Sequence, residues 1–264
     1  MQPGEKLADG TGSEVFAWGD GRVIKLFSAG TNRALVEYEA RTTMAAFEAG
    51  APAPEVFGIE EVHDRLGIVL PRYDGRSLLS MLLDRDTTPV DAGATLARVH
   101  AALHASRHAT PLWRFQEFVG FMLGRLRAGG LPADVLDRAC GLATDLPSDE
   151  GLCHGDLHFG NVLITDDRPA VIDWVSAMNA SPLVDVARQH LTLAIIPVPD
   201  QYAWIRPAAE QSFMRTYAEL TGRTEDGLRA AIAPYVTIMA VMRIAEPACN
   251  ESERMMLIDF VRSR

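Results

Sequence analysis

Apolar and polar positions follow two rhythms along the 264 residues. Residues 5–27 alternate short apolar runs with the Gly-rich turns Asp9-Gly10-Thr11-Gly12 and Gly19-Asp20-Gly21, a pattern that predicts β-strands in a meander. Residues 14–18 and 22–27 are expected to pair as a hairpin. Residues 32–48, rich in Ala, Glu and Arg and closed by Gly50, read as a helix. Pro52 and Pro54 break the chain. Residues 55–62 and 66–71 then read as two more strands around a turn at His63-Asp64.

From Ser77 the rhythm becomes helical. Helices are expected over 77–83, 91–108 (with Leu96, Val99 and Leu103 on one face), 115–126 and 133–143. Short strands at 161–165 and 169–173 interrupt them, and helices over 183–196, 202–221, 225–243 and 252–261 complete the pattern. The fold class is therefore α+β, in two unlike lobes. Residues 1–72 form a β-rich N-lobe with one helix, residues 73–264 a mostly helical C-lobe, and the break falls near Arg72–Arg76. Clefts between lobes of this kind commonly bind nucleotides.

The most informative stretch interrupts the helical lobe: His154-Gly155-Asp156-Leu157-His158-Phe159-Gly160-Asn161-Val162-Leu163, followed by Val171-Ile172-Asp173-Trp174. An Asp and an Asn lie five residues apart on a Gly-bounded loop, and a second Asp ends a short apolar run. Phosphoryl transfer needs such a set: a carboxylate to take the acceptor's proton, and oxygen ligands to hold magnesium on nucleotide phosphates. Asp156 is the candidate base, and Asn161 and Asp173 are the candidate metal ligands. Protein kinases space their catalytic-loop Asp and Asn in the same way. His154 is expected to pack and hydrogen-bond to hold the loop. His158 reads either as loop packing or as a group approaching the phosphates or the acceptor.

Lys25 is the second element. The chain has two lysines, Lys6 and Lys25, beside 23 arginines, so a Lys inside the apolar run Val23-Ile24-Lys25-Leu26-Phe27 stands out. A cation on a strand facing the cleft would bind nucleotide phosphates and would need an acidic partner. Glu39 on the following helix is the choice, and Glu37 the alternative. Gly10-Thr11-Gly12-Ser13 would place backbone N–H groups over the phosphates; a simple hairpin turn explains it equally well.

Composition narrows the partners. A net charge of −10 argues against nucleic acid. Residues 131–190 carry ten acids against three bases, so negative charge gathers around the proposed site, where it suits magnesium and a cationic acceptor. Asp145, Asp149, Glu150, Asp166 and Asp167 read as solvated loop charges. No apolar run approaches the ~20 residues of a membrane span, and the N-terminus lacks the segments of a signal peptide. Cys140, Cys153 and Cys249 show neither metal spacing nor a disulfide framework, which points to reduced thiols in the cytoplasm. Cys153 is expected to be buried beside the motif rather than nucleophilic. His100, His104 and His108, at i, i+4, i+8, read as a partly buried helix face in preference to a zinc site.

These residues together resemble the aminoglycoside phosphotransferase and choline kinase-like family, which has a protein-kinase-like fold. The stretch 154–163 resembles its catalytic loop, and Val171-Ile172-Asp173-Trp174 its metal-binding segment, in place of Asp-Phe-Gly. Glu39-Ala40 with Gly50-Ala51-Pro52-Ala53-Pro54 resembles its helix bearing the Lys partner. Residues 68–78 resemble its hinge, which implies purine contacts from backbone groups around Pro71 and Tyr73. Leu96-Ala97-Arg98-Val99-His100-Ala101 resembles a common helix motif. Asp185-Val186-Ala187 resembles a segment whose Asp braces the catalytic loop.

The resemblance implies a kinase that uses ATP, or GTP, and magnesium to phosphorylate a hydroxyl of an aminoglycoside-like antibiotic or another small acceptor. Asp156 would be the base, Asn161 and Asp173 the magnesium ligands, and Lys25, Glu39, Gly12, Ser13, Pro71 and Tyr73 the nucleotide site. One departure is a short Gly-rich loop with no third Gly. Together with the missing Asp-Phe-Gly and Ala-Pro-Glu segments, it argues against a protein kinase. The presence of Lys25, Asp156, Asn161 and Asp173 argues against a catalytically idle relative. A metabolic kinase for choline, homoserine or fructosamines is the neighbouring alternative. The motifs address donor and metal, not acceptor, whose contacts are expected from the helical lobe after Asp173 and from residues 113–127; Glu246, Glu251, Glu253 and Asp259 could bind ammonium groups but read as solvated helix charges.

Overall fold

The meander of the first lobe folds as five antiparallel strands. They are β1 (Lys6–Gly10), β2 (Ser13–Ala17), β3 (Arg22–Phe27), β4 (Gly58–Val62) and β5 (Arg65–Pro71), in the order β1-β2-β3-β5-β4. The computed structural model describes residues 2–10, 12–106, 112–147, 151–166, 168–246 and 248–264. His63 and Asp64, both with positive φ (48° and 62°), make the β4–β5 turn, the backbone of a tight hairpin.

Side chains alternate across β3. Ile24 and Leu26 join Trp18, Val62 and Val69 in a small core on one face. The other face carries Lys25 and Phe27. Phe27 packs with Ile68 of β5 and with Val36 and Ala40 of helix α1 (Arg33–Glu48). Asn32 starts that helix by accepting from the Ala34 amide, which satisfies one of its free N–H groups.

The second lobe starts with a two-residue strand β6 (Arg76–Ser77) and four helices, α2 (Leu78–Leu83), α3 (Pro89–His104), α4 (Phe115–Ala128) and α5 (Ala133–Asp145). Four short strands follow: β7 (Gly151–Cys153), β8 (Val162–Ile164), β9 (Ala170–Val171) and β10 (Met178–Ala180). β6, β8 and β9 form one small sheet, and β7 pairs with β10. Helices α6 (Leu183–His190), α7 (Asp200–Ala203), α8 (Arg206–Leu220), α9 (Glu225–Ile244) and α10 (Glu251–Arg262) complete the lobe. α3 lies so close to α8 that a Cβ on Gly93 would stand 2.3 Å from Ala209 O.

Three expectations shift. The helix expected over 183–196 stops at His190 and continues as a π-helical turn, Leu191–Ile195. The helix expected over 202–221 divides at Trp204-Ile205, because Pro207 near the start of α8 has no N–H for a continuing ladder. α9 is long and apolar enough to cross a membrane by length and composition, although Arg229 and its terminal charges break any unbroken apolar run. Buried over 61% of that stretch, it packs against α5, α6, α8 and α10 as a core helix. His108, Thr11, Asp149, Glu150 and Asp167 lie outside the described residues.

Candidate functional site

Lys25 sits in the middle of β3, opposite Val15 of β2 and Ile68 of β5. Its Nζ meets two carboxylates, Glu39 Oε1 at 2.6 Å and Asp173 Oδ1 at 2.6 Å. Burial alone would lower the ammonium's pKa, but the two carboxylates outweigh it and the net shift is upward. Asp173 is held below the usual carboxylate range: burial pushes it up and Lys25 pulls it further down. Glu39 is buried in α1. The alternative partner, Glu37, is exposed and lies near Arg33.

Asp173 itself is left-handed, with φ 69° and ψ 65°, a conformation that L-residues other than Gly seldom adopt. The segment around it is fixed from three sides. Trp174 Nε1 donates to Val171 O at 2.8 Å, Thr42 Oγ1 donates to Trp174 O at 2.8 Å, and Tyr38 Oη donates to Ala177 O at 2.8 Å. α1 therefore binds both Lys25 and the segment that carries Asp173.

The catalytic-loop candidates hang from Asp185 of α6. Its carboxylate accepts the His154 amide at 2.8 Å and the Gly155 amide at 2.7 Å, and it contacts His104 Nε2 at 3.2 Å. Burial pushes the Asp185 carboxyl up, yet the His104 hydrogen bond and nearby rings hold it at about 2. Gly155 has φ +80°, and a Cβ there would meet Ser176 O at 2.3 Å, so this turn requires glycine. His154 accepts the Asp156 amide on Nδ1 at 3.2 Å and donates from Nε2 to Ile172 O at 3.0 Å, bracing the loop as expected. His158 Nδ1 accepts the Gly160 amide at 3.0 Å, and burial lowers its pKa.

Asn161 Nδ2 donates to Asp156 O at 3.0 Å, which leaves its Oδ1 for a ligand. Asp173 likewise has Oδ2 left once Oδ1 is given to Lys25. Two hard oxygens at one end of a cleft suit a magnesium ion.

The two lobes enclose a cleft of about 1230 Å³. Lys25, Glu39, Asp156, Asn161, Asp173, Ser13, Pro71 and Tyr73 line it; Gly12 does not. Gly12 makes the β1–β2 turn, with its carbonyl spent on Ser28 N and Oγ. At the hinge the Arg72 amide donates to Gly21 O at 2.9 Å and Pro71 has no N–H, so Tyr73 offers the first backbone donor.

Sequence reasoning missed Arg188, and it read Glu246 as a solvated helix charge that could bind an ammonium group, not as a partner of Arg188. Arg188 Nη2 lies 3.1 Å from Asp156 Oδ1 and 2.7 Å from Glu246 Oε1, with the Arg188 side chain only 12% exposed. Arg188 stands one turn after Asp185 on the same helix, a spacing that could have flagged it. The histidine stripe is structural where described. His100 Nδ1 bonds Leu96 O, and His104 bonds Tyr217 Oη and Asp185. Cys153 is buried, its thiol pushed up by that burial, and it donates to Ser181 O at 3.3 Å.

A model of the phosphotransferase enzyme family matches residues 4–230. The chain belongs to that family. No curated protein matches it in sequence. Solved structures share its kinase-like fold. A thermostable variant of aminoglycoside phosphotransferase APH(4)-Ia, in ternary complex with AMP-PNP and hygromycin B, aligns with a TM-score of 0.68 at 19% identity, covering 98% of this chain and 92% of that one. A choline/ethanolamine kinase family protein from Mesorhizobium loti aligns at 0.67 and 20% identity, covering 99% and 87%. Macrolide 2'-phosphotransferase MphH from Brachybacterium faecium aligns at 0.55 and 19% identity, covering 96% and 91%.

Proposed function

We propose that the chain is an ATP-dependent small-molecule kinase, with GTP as an alternative donor, that phosphorylates an alcohol. The observation that carries this reading is the meeting of Lys25, Glu39 and Asp173 with the Asp156–Asn161 loop in one interlobe cleft.

In this reading residues 1–72 form the nucleotide lobe and residues 73–264 carry the loop and acceptor site. Lys25 binds the nucleotide phosphates, held in place by Glu39. Ser13 and the Pro71–Tyr73 hinge flank the nucleotide, while Gly12 shapes the turn. Asn161 and Asp173 would hold magnesium, which would supply charge neutralisation to the nucleotide phosphates when bound. Asp156 orients the acceptor hydroxyl and takes its proton. The acceptor oxygen bonds to the γ-phosphorus as the bond to the β–γ bridging oxygen breaks, and ADP carries away that electron pair. Asp185 acts through the backbone of His154 and Gly155, setting the loop that carries Asp156.

The acceptors of the structural relatives range over antibiotics and small metabolites, and an antibiotic acceptor would make this chain a resistance enzyme. The three free cysteines fit a cytoplasmic setting, where ATP is also supplied. Incubation with γ-labelled ATP, magnesium and a panel of alcohols tests the reading. Transfer by the wild type that disappears in Asp156→Asn supports it; transfer that survives in the purified variant overturns it.

A further inference from the structure

The acceptor end of the cleft has two features that the kinase reading does not use. The first is charge. Asp156 and Glu246 face this end, and Arg188 lies between them in contact with both. Glu246 also binds Arg243 Nη1 at 2.5 Å, and Arg243 in turn binds Glu253 at 2.7 Å. The place that an acceptor's ammonium group would take between two carboxylates is thus filled by the chain's own guanidinium. A polycation would have to displace Arg188, leaving a largely buried charge without partners.

The second feature is an apolar wall. Phe118 and Met122 of α4 and Met239 and Met242 of α9 line the same cleft. It extends outward through Trp113 and Phe121, which stay 37% and 52% exposed. Trp113 stands edge-on to Phe118 at 6.4 Å and to Phe121 at 5.3 Å, so the aromatic lip is continuous with the wall. Methionine is flexible and polarizable, and a wall rich in it adapts to an irregular apolar partner. An exposed aromatic patch joined to a binding cleft marks a surface that a ligand covers.

We infer that the acceptor is an uncharged alcohol with a broad apolar face, such as a glycoside or polyol carrying an alkyl or aryl group, and that Arg188 supplies the positive charge a cationic acceptor would bring. The inference rests on the kinase reading above. The acceptor lays its apolar face along α4 and α9 and presents its hydroxyl to Asp156, which takes the proton as the γ-phosphoryl group of ATP moves to that oxygen and ADP leaves.

The test uses the full-length protein bound to AMP-PNP and magnesium, titrated by calorimetry with octyl glucoside below its micelle concentration, glucose, and hygromycin B. Saturable one-to-one binding of octyl glucoside at least 10-fold tighter than of glucose or hygromycin B is expected. Phe121→Ser and Met122→Gln should each weaken it several-fold while AMP-PNP binding is unchanged, which shows that the variants fold. Arg188→Gln should raise affinity for hygromycin B by freeing Asp156 and Glu246 Oε1, while Arg243 keeps Glu246 Oε2. Absence of octyl glucoside binding, or hygromycin B binding as tight in the wild type, overturns the inference. Labelled ATP separates this from failure of the kinase reading. Asp156-dependent transfer to hydrophilic polycations in preference to amphiphilic neutral alcohols sinks only the acceptor class, whereas transfer unaffected by Asp156→Asn sinks the kinase reading itself.

Discussion

The two ends of the cleft solve opposite electrostatic problems. At the nucleotide end one cation, Lys25, is shared by two acids, Glu39 and Asp173, and the surplus negative charge with its free oxygens invites a metal. At the acceptor end Arg188 is likewise shared by two acids, Asp156 and Glu246, but Arg243, itself bound to Glu253, also holds Glu246, and the neighbouring wall is apolar. The same local motif, a basic residue between two carboxylates, leaves one end open to ions and closes the other to them. Surroundings, rather than the triad, decide what each end receives.

The sharpest way to break this comparison is Asp156→Asn, expected to lower kcat by roughly 10³-fold while leaving AMP-PNP affinity intact by calorimetry. Next is Lys25→Ala, expected to lower kcat/KM for the nucleotide by roughly 10²-fold, in line with losing one charge-stabilising group. Glu37→Ala should leave it unchanged, and an equal loss in both would refute Glu39 as the partner of Lys25. Arg188→Gln should reduce kcat by about tenfold, since about 1.4 kcal/mol of positioning corresponds to that factor. The nucleotide KM should not move; if it does, Arg188 belongs to the nucleotide end.

A smaller effect concerns the support beneath the loop. Burial, aided by His104, lowers the His100 pKa from 6.5 to about 3, and its Nε2 has no hydrogen-bond partner among the described residues. Below pH 6.5 the unfolded chain takes up a proton that the folded chain refuses. Stability therefore falls as pH drops from 6.5 toward 3, by at most about 1.4 kcal/mol per pH unit. Asp185, at about 2 in the fold against 3.8, adds a further loss between those two values. Urea denaturation at stepped pH should show the slope, and His100→Phe should flatten its upper part. Smallest is Phe121→Ser, whose exposed ring should change the unfolding free energy from urea denaturation by less than about 0.5 kcal/mol.

The nucleotide end was legible in the sequence because its parts are local or conspicuous. Asp156 and Asn161 share a loop, Asp173 ends a nearby strand, and Lys25 breaks an apolar run. Glu39 could be chosen over Glu37 only as a preference; the structure separates them by burial, 3% exposed against a solvent-facing side chain. Strand and helix order was largely readable from periodicity. Short strands such as β6, β7 and β10 were not, because two or three residues carry no period and their pairing is set by distant partners. The acceptor end could be placed only by region, in residues 113–127 and the helices after Asp173, for the same reason. Arg188 and Glu246 are 58 positions apart, and nothing in the local pattern of either marks it as the other's partner. Gly12 was drawn toward the phosphates by its Gly-x-Gly setting, yet its positive φ of 85° serves the turn.

The two hydrogen bonds from Thr42 and Tyr38 to the segment after Asp173 bear on control. Many kinases are silenced by swinging the helix that carries the lysine's partner away from the metal-binding segment. Here that helix is stitched to the segment by side chains on successive turns, so a silenced posture would have to break both stitches along with the Lys25 ion pairs. The helix and the segment are thereby joined as one piece, so any displacement of α1 carries Asp173 with it.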